Sequence, residues 1–278
     1  MTNFSWPKGK KAAVSLSFDV DAESAWILDK ENHQRLSLLS SGAYGRRVGA
    51  DRILRLLAKH NLKAQFFIPG YTAELDENLV RQIHEQGHEI GCHGYYHERT
   101  DTLTFEEEDT ILAKSKEILY RITGKVPKGF RAPLWEVTRQ TQQLLVKHGF
   151  VFDSSLMGND VPYLVPVDQS KLLELPVTWM LDDWEQFAYS AVPQSGYVIE
   201  EPEKVLRLWK AEFSAMYEDG RYFLLTMHPE IIGRASRIRM LDELITYIQS
   251  HPDVWFCTPL DIHEAWKKGE IVLEEYPY

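Results

Sequence analysis

Apolar and polar positions run along this chain in repeating blocks, a short apolar run followed by a longer amphipathic stretch, from about residue 12 almost to the end. Residues 12–18 (AAVSLSF) are a β-leaning apolar run that stops at Asp19-Val20-Asp21, the pattern of a buried parallel strand. Residues 48–60 set Ile53, Leu54, Leu56 and Leu57 at helical spacing, and residues 63–69 (KAQFFIP) read as a second strand. A helix over 76–86 closes at Gly87, and a third strand over 88–92 follows. Thr104-Phe105-Glu106-Glu107 is a capping box, predicting a helix to about 123 that Gly124 ends; its acidic run over 106–109 suits the positive end of the helix dipole. Further strands are predicted over 128–132, 150–154, 172–179, 222–227 and 254–257, and helices over 138–148, 203–218, 236–250 and 259–268. Residues 22–46 and 185–200 show no clear period and read as loops, long enough in the first case to expect a functional role.

Strand then helix, repeated in this way, is the signature of a parallel barrel or of a doubly wound sheet. The polar residues separate the two. Asp19 and Asp21, His93 and His97, Arg131, Asp183 and His228 each follow a predicted strand, and they come from five different strands. In a barrel all strand ends face one mouth, so such residues converge; in an open sheet they spread along an edge. The expected fold is therefore α/β, a distorted or incomplete (β/α) barrel of seven to eight parallel strands, TIM-barrel-like, with residues 1–278 forming a single domain.

Composition narrows the function. With a net charge of −10 and no basic cluster, contact with nucleic acid phosphates is not expected. No run approaches the roughly 18 apolar residues of a membrane span, and the polar start is unlike a signal peptide. Two cysteines, Cys92 and Cys257, both in apolar strands, fit a reducing compartment, so a cytoplasmic protein is expected. Two histidines four apart, together with the Asp19 and Asp21 pair, suit a two-His, one-carboxylate metal site with a carboxylate left over as a base.

Five segments, Ser17-Phe18-Asp19-Val20-Asp21, His93 to His97, Arg131 to Trp135, Asp182-Asp183-Trp184 and Leu225-Thr226-Met227-His228, resemble in order the motifs of the polysaccharide deacetylase (NodB-homology) superfamily. The resemblance covers about residues 12–266 and implies a distorted barrel with one divalent metal, usually zinc. It implies Asp19 as catalytic base, Asp21, His93 and His97 as metal ligands, Arg131 as the group orienting Asp19, His228 as general acid, and Asp183, or else Asp182, as the partner of His228. Val20 between the two aspartates, Trp135 in place of a glycine and the extended His228-Pro229-Glu230 are similar to an intracellular, oligomeric branch with peptidoglycan deacetylases, allantoinases that work without a bound metal, and cyclic imide hydrolases.

The chemistry agrees. Amide hydrolysis needs a polarised carbonyl, an activated water and a proton for the leaving nitrogen. Arg131 is expected to hold Asp19 by a two-pronged contact, and an acidic partner to keep His228 protonated near neutral pH. Trp135, Trp184 and Glu230, beside the motifs, are candidate substrate contacts, and Glu23, Arg46 and Arg47 candidate pocket-shaping residues. The expected reaction is removal of an N-acetyl group from an N-acetylated sugar or glycan by a homo-oligomer; the alternative is ring opening of a small cyclic amide or imide.

Overall fold

The computed structural model describes residues 4–277. Its strands are β1 (Ala12–Asp19), β2 (Gln65–Ile68), β3 (Glu89–Cys92), β4 (Gly129–Phe130), β5 (Phe152–Asp153), β6 (Tyr163–Val167), β7 (Ser170–Glu174), β8 (Ser190–Ala191), β9 (Gln194–Ser195), β10 (Tyr222–Met227) and β11 (Val254–Phe256). The main sheet runs β10-β1-β2-β3-β4-β5-β7-β6, with β11 also on β1. Along β1, one edge pairs with β10 over residues 13–18; the other takes β11 at its start and β2 at its end. Every pairing in this sheet is parallel except β6 with β7. Between β7 and β10 the wall is spanned by chain that makes one bridge, Asp182 to Thr226, so the barrel is distorted there and not a regular ring of staves.

Strand pleating decides what reaches the mouth. In β1, Val14, Leu16 and Phe18 point to the helices, while Ala13, Ser15, Ser17 and Asp19 take the other face. In β10, Phe223, Leu225 and Met227 pack outward, leaving Tyr222, Leu224 and Thr226 inside, and the same parity carries His228 inward just past the strand end. Cys92 and Phe130 likewise face outward, which turns His93 and Arg131 in.

Four sequence expectations change. Residues 22–46 are largely helical: Ser24–Ile27, then a 3-10 turn Lys30–Gln34, then Leu36–Tyr44 running through a π-turn Gly45–Gly49 into Ala50–His60. Its glycines weaken the helical signal for a steric reason. A Cβ on Gly42 would lie 2.4 Å from the Ala22 carbonyl oxygen, and one on Gly49 would lie 2.0 Å from that of Pro229. The helix therefore packs backbone to backbone on the two segments that follow β1 and β10. Gly70–Leu75 is a further short helix. The expected strand over 172–179 is instead β7, ending at Glu174, and it is preceded by the antiparallel β6, which forms a hairpin with it. The loop over 185–200 contains the end of a helix, Asp183–Phe187, and the small hairpin β8–β9. Among the described residues no helix is long and apolar enough to cross a membrane.

Candidate active site

One cleft of about 390 Å³ opens at the C-terminal ends of the strands, lined by Asp19, Asp21, His93, His97, Asp182 and His228 at its floor. Asp21 sits two residues past Asp19 and so on the same face of the extended chain. Its backbone carbonyl is held by the Ser24 hydroxyl at 2.7 Å and the Thr72 hydroxyl at 2.8 Å. His93 leaves β3 directly; Gly94 and His97 then turn through left-handed backbone, φ +68° and +64°. For histidine that conformation costs on the order of 1–3 kcal/mol and has to be imposed by surroundings. Here the Gly94 carbonyl accepts from the Gly70 amide at 3.0 Å and the Ser115 hydroxyl at 2.9 Å, and Glu98 accepts from the Tyr95 amide at 2.9 Å.

His93 Nε2 lies 3.4 Å from Asp21 Oδ1, and His97 Nε2 lies 3.4 Å from Asp21 Oδ2. His93 Nδ1 is 2.7 Å from the Arg131 carbonyl, a pure acceptor, so Nδ1 carries the proton and the Nε2 lone pair faces the cleft. Burial pushes His97 down to about 4 and holds His93 below its ordinary value, which keeps both rings neutral. Asp21 Oδ1 is buried with no hydrogen-bond donor. Two neutral imidazole nitrogens and an orphaned carboxylate oxygen, within 4.8 Å of one another, fit a divalent cation.

Arg131 is fully buried beneath Asp19. Its Nη1 donates to Asp19 Oδ1 at 2.8 Å and to the Ser17 hydroxyl at 2.9 Å, while Nε and Nη2 donate to the Ser154 carbonyl and hydroxyl, each at 2.9 Å. The expected two-pronged grip on Asp19 is therefore a single hydrogen bond, because the other donors are committed to Ser154. Burial works to raise the Asp19 pKa, but the Arg131 guanidinium, with His228, outweighs it and leaves the carboxyl below its usual value.

At the end of β10, the strand beside β1, Asp183 Oδ1 is 2.7 Å from His228 Nδ1, and both its oxygens accept from the His228 amide at 3.0 Å. Asp182 is 3.7 Å from the same nitrogen and spends Oδ1 on the Trp184 amide at 2.7 Å. Of the two adjacent aspartates, Asp183 is thus the one hydrogen-bonded to His228. Asp182 faces the cleft, and burial pushes it up to about 8. Burial alone would depress His228; the Asp183 and Asp182 carboxylates reverse this and hold the imidazole well above its ordinary pKa. His228 Nε2 points across the cleft, 3.8 Å from Asp21 Oδ2.

The rim is aromatic. Trp135 stacks on Trp179 with ring centroids 4.1 Å apart, and Trp184 lies 5.8 Å from Trp26 and 5.1 Å from the His228 ring. Trp26 comes from the segment after β1. Trp179 was not singled out from the sequence, although the end of a predicted strand was the signal that found the other groups. Glu230 does not line the cleft: it is buried behind it against the Gly45 backbone, both carboxyl oxygens without a protein donor. Glu23 and Arg46 pair with each other at 2.7 Å and tie the segment after β1 to the helix behind it; neither lines the cleft, nor does Arg47.

Residues 8–152 match the family model described as polysaccharide deacetylase. A Helicobacter pylori protein named peptidoglycan deacetylase is 31% identical, the alignment covering 93% of this chain and 97% of that one. A crystal structure from Mycobacterium smegmatis, of a protein assigned to the polysaccharide deacetylases, superposes with a TM-score of 0.93 at 40% identity, covering 97% of this chain and 94% of that chain. An allantoinase shares the fold, with a TM-score of 0.83 at 23% identity over 95% of this chain and 92% of its own. The chain belongs to the polysaccharide deacetylase family and is an amide hydrolase.

Proposed function

We propose that this protein is a metal-dependent deacetylase that removes the N-acetyl group from an N-acetylated sugar or glycan. The observation that carries this reading is the gathering of Asp19 and His228 around the Asp21, His93 and His97 cluster within one cleft, Asp19 Oδ2 3.9 Å from His93 Nε2 and His228 Nε2 3.8 Å from Asp21 Oδ2. Asp21, His93 and His97 would hold the cation, zinc being favoured by the nitrogen-rich donor set. When bound, it supplies Lewis-acid polarisation of the amide carbonyl and acidifies water. Asp19, kept ionised and fixed by Arg131, takes the proton of the attacking water. His228, kept protonated by Asp183, delivers a proton to the departing amine nitrogen. Trp26, Trp135, Trp179 and Trp184 offer flat apolar faces to the apolar side of a sugar ring and exclude water from the reacting bond.

The main alternative, ring opening of a small cyclic amide or imide, draws support from Trp26, Leu28 and Asp29, which the segment after β1 places in the wall of the cleft, keeping it small. Acetate release from N-acetylglucosamine oligomers, measured beside hydrolysis of hydantoin and succinimide, separates the two. Deacetylation with inert imides is the expected result; imide turnover without acetate release would replace the proposal by the alternative.

A further inference from the structure

We infer that Asp153 and Glu174 share one proton and together form the support that positions Arg131 behind Asp19. The inference rests on the reading of Asp19 as base. The two residues are register partners on the parallel strands β5 and β7, and both are fully buried. Their neighbours Phe152 and Leu173 belong to the barrel interior, so the carboxyls take the opposite face of the wall. One oxygen of each is well supplied with donors. Asp153 Oδ1 accepts from the Ser154 amide at 2.8 Å and the Ser155 hydroxyl at 2.7 Å; Glu174 Oε1 accepts from the Ser155 amide at 2.9 Å and the Leu156 amide at 2.8 Å. The other two, Asp153 Oδ2 and Glu174 Oε2, are both buried with no hydrogen-bond partner, on side chains that the strand register sets side by side. Two ionised carboxylates have no hydrogen to give each other; a single proton held between these two side chains would satisfy both oxygens.

No lysine, arginine or histidine among the described residues is ion-paired with either group. Beyond the pair itself, the charge that bears on it is Arg131, whose N–H groups are committed to Asp19, Ser17 and Ser154. Burial raises both carboxyls, Asp153 to about 6 and Glu174 well above its ordinary value, in keeping with a retained proton. The pair fixes the Ser154-Ser155 turn, and that turn supplies two acceptors to Arg131 and, through the Ser155 hydroxyl, one to the Ala132 amide at 2.9 Å. Asp153 and Glu174 are therefore positioning residues that touch no substrate.

The test uses Glu174→Gln and Glu174→Ala. Glutamine keeps the acceptor oxygen for Ser155 and Leu156 and donates permanently to Asp153, so kcat and KM should stay near wild type at neutral pH. Alanine should lower kcat by about 10- to 100-fold with KM little changed, the size expected when a catalytic group is slightly misplaced. A folded pKa raised by burial makes the proton's contribution complete below the unfolded pKa and lost as pH rises through the folded value. Wild type should accordingly lose activity and thermal stability at alkaline pH that Glu174→Gln retains. Infrared spectra of the intact protein should show a protonated-carboxyl band at neutral pH that Glu174→Gln removes, a readout that stands even if the alanine variant does not fold. Absence of that band, or a glutamine variant as impaired as the alanine one, would overturn the inference. Turnover surviving in Asp19→Asn would instead remove the base assignment and leave the infrared result untouched.

Discussion

Asp19 and Asp21 are two residues apart on the same chain, yet their surroundings divide them. Asp19 is met by a guanidinium from below, while Asp21 Oδ1 finds no donor and the two Asp21 oxygens face one imidazole nitrogen each, from His93 and His97. The same division separates Asp182 from Asp183, of which only the second bonds the His228 ring. Removing that charge has a predictable sign. His228 is held above its ordinary pKa chiefly against burial by Asp183, so Asp183→Asn should bring the alkaline limb of the kcat/KM profile to lower pH. A pH–rate profile of the variant checks this; an unmoved alkaline limb would mean that another group carries it. These pairings were legible in the sequence as far as residue type and order go. Which aspartate bonds His228, and how many prongs Arg131 extends to Asp19, were not, because both depend on where Ser154 and the Trp184 amide sit.

At the scale of elements, alternation and caps located the parallel strands at the strand ends that matter: the Asp19, His93, Arg131 and His228 positions all follow from parity in β1, β3, β4 and β10. The helix over 36–60 was half hidden because Gly42, Gly45 and Gly49 are poor helix formers that are required here by close backbone approach. Gly49→Ala should therefore destabilise the protein by roughly 1–3 kcal/mol, although alanine normally favours a helix. Its Cβ would meet the Pro229 carbonyl and push on the segment that begins at His228, so kcat should fall as well. Thermal unfolding and kinetics of the variant check both; a stabilised, fully active Gly49→Ala would show that the contact yields. The β6–β7 hairpin escaped the sequence reading because β6 carries Pro166 and sits at the edge of the sheet, where strand signals are weak. Trp179 escaped with it, since the wall between β7 and β10 is irregular chain and has no period to read.

For the molecule as a whole, the barrel gathers groups from several strands into a mouth whose floor is buried, and its polar members are balanced by one another. A cation held there binds the folded chain only, so adding zinc to metal-free protein should raise the unfolding temperature, by the equivalent of about 2.7 kcal/mol at a hundredfold excess over Kd. His93→Ala should lose this response; an equal rise in the variant would place the cation elsewhere. The most direct measurement of the division of labour at the mouth is metal content and acetate release determined together on Asp19→Asn and Asp21→Asn. Asp19→Asn should bind one metal per chain as wild type does and lose turnover by about 100-fold or more, while Asp21→Asn should lose both. Near-normal turnover in Asp19→Asn, or metal retained at full occupancy by Asp21→Asn, would contradict the assignment of base and ligand.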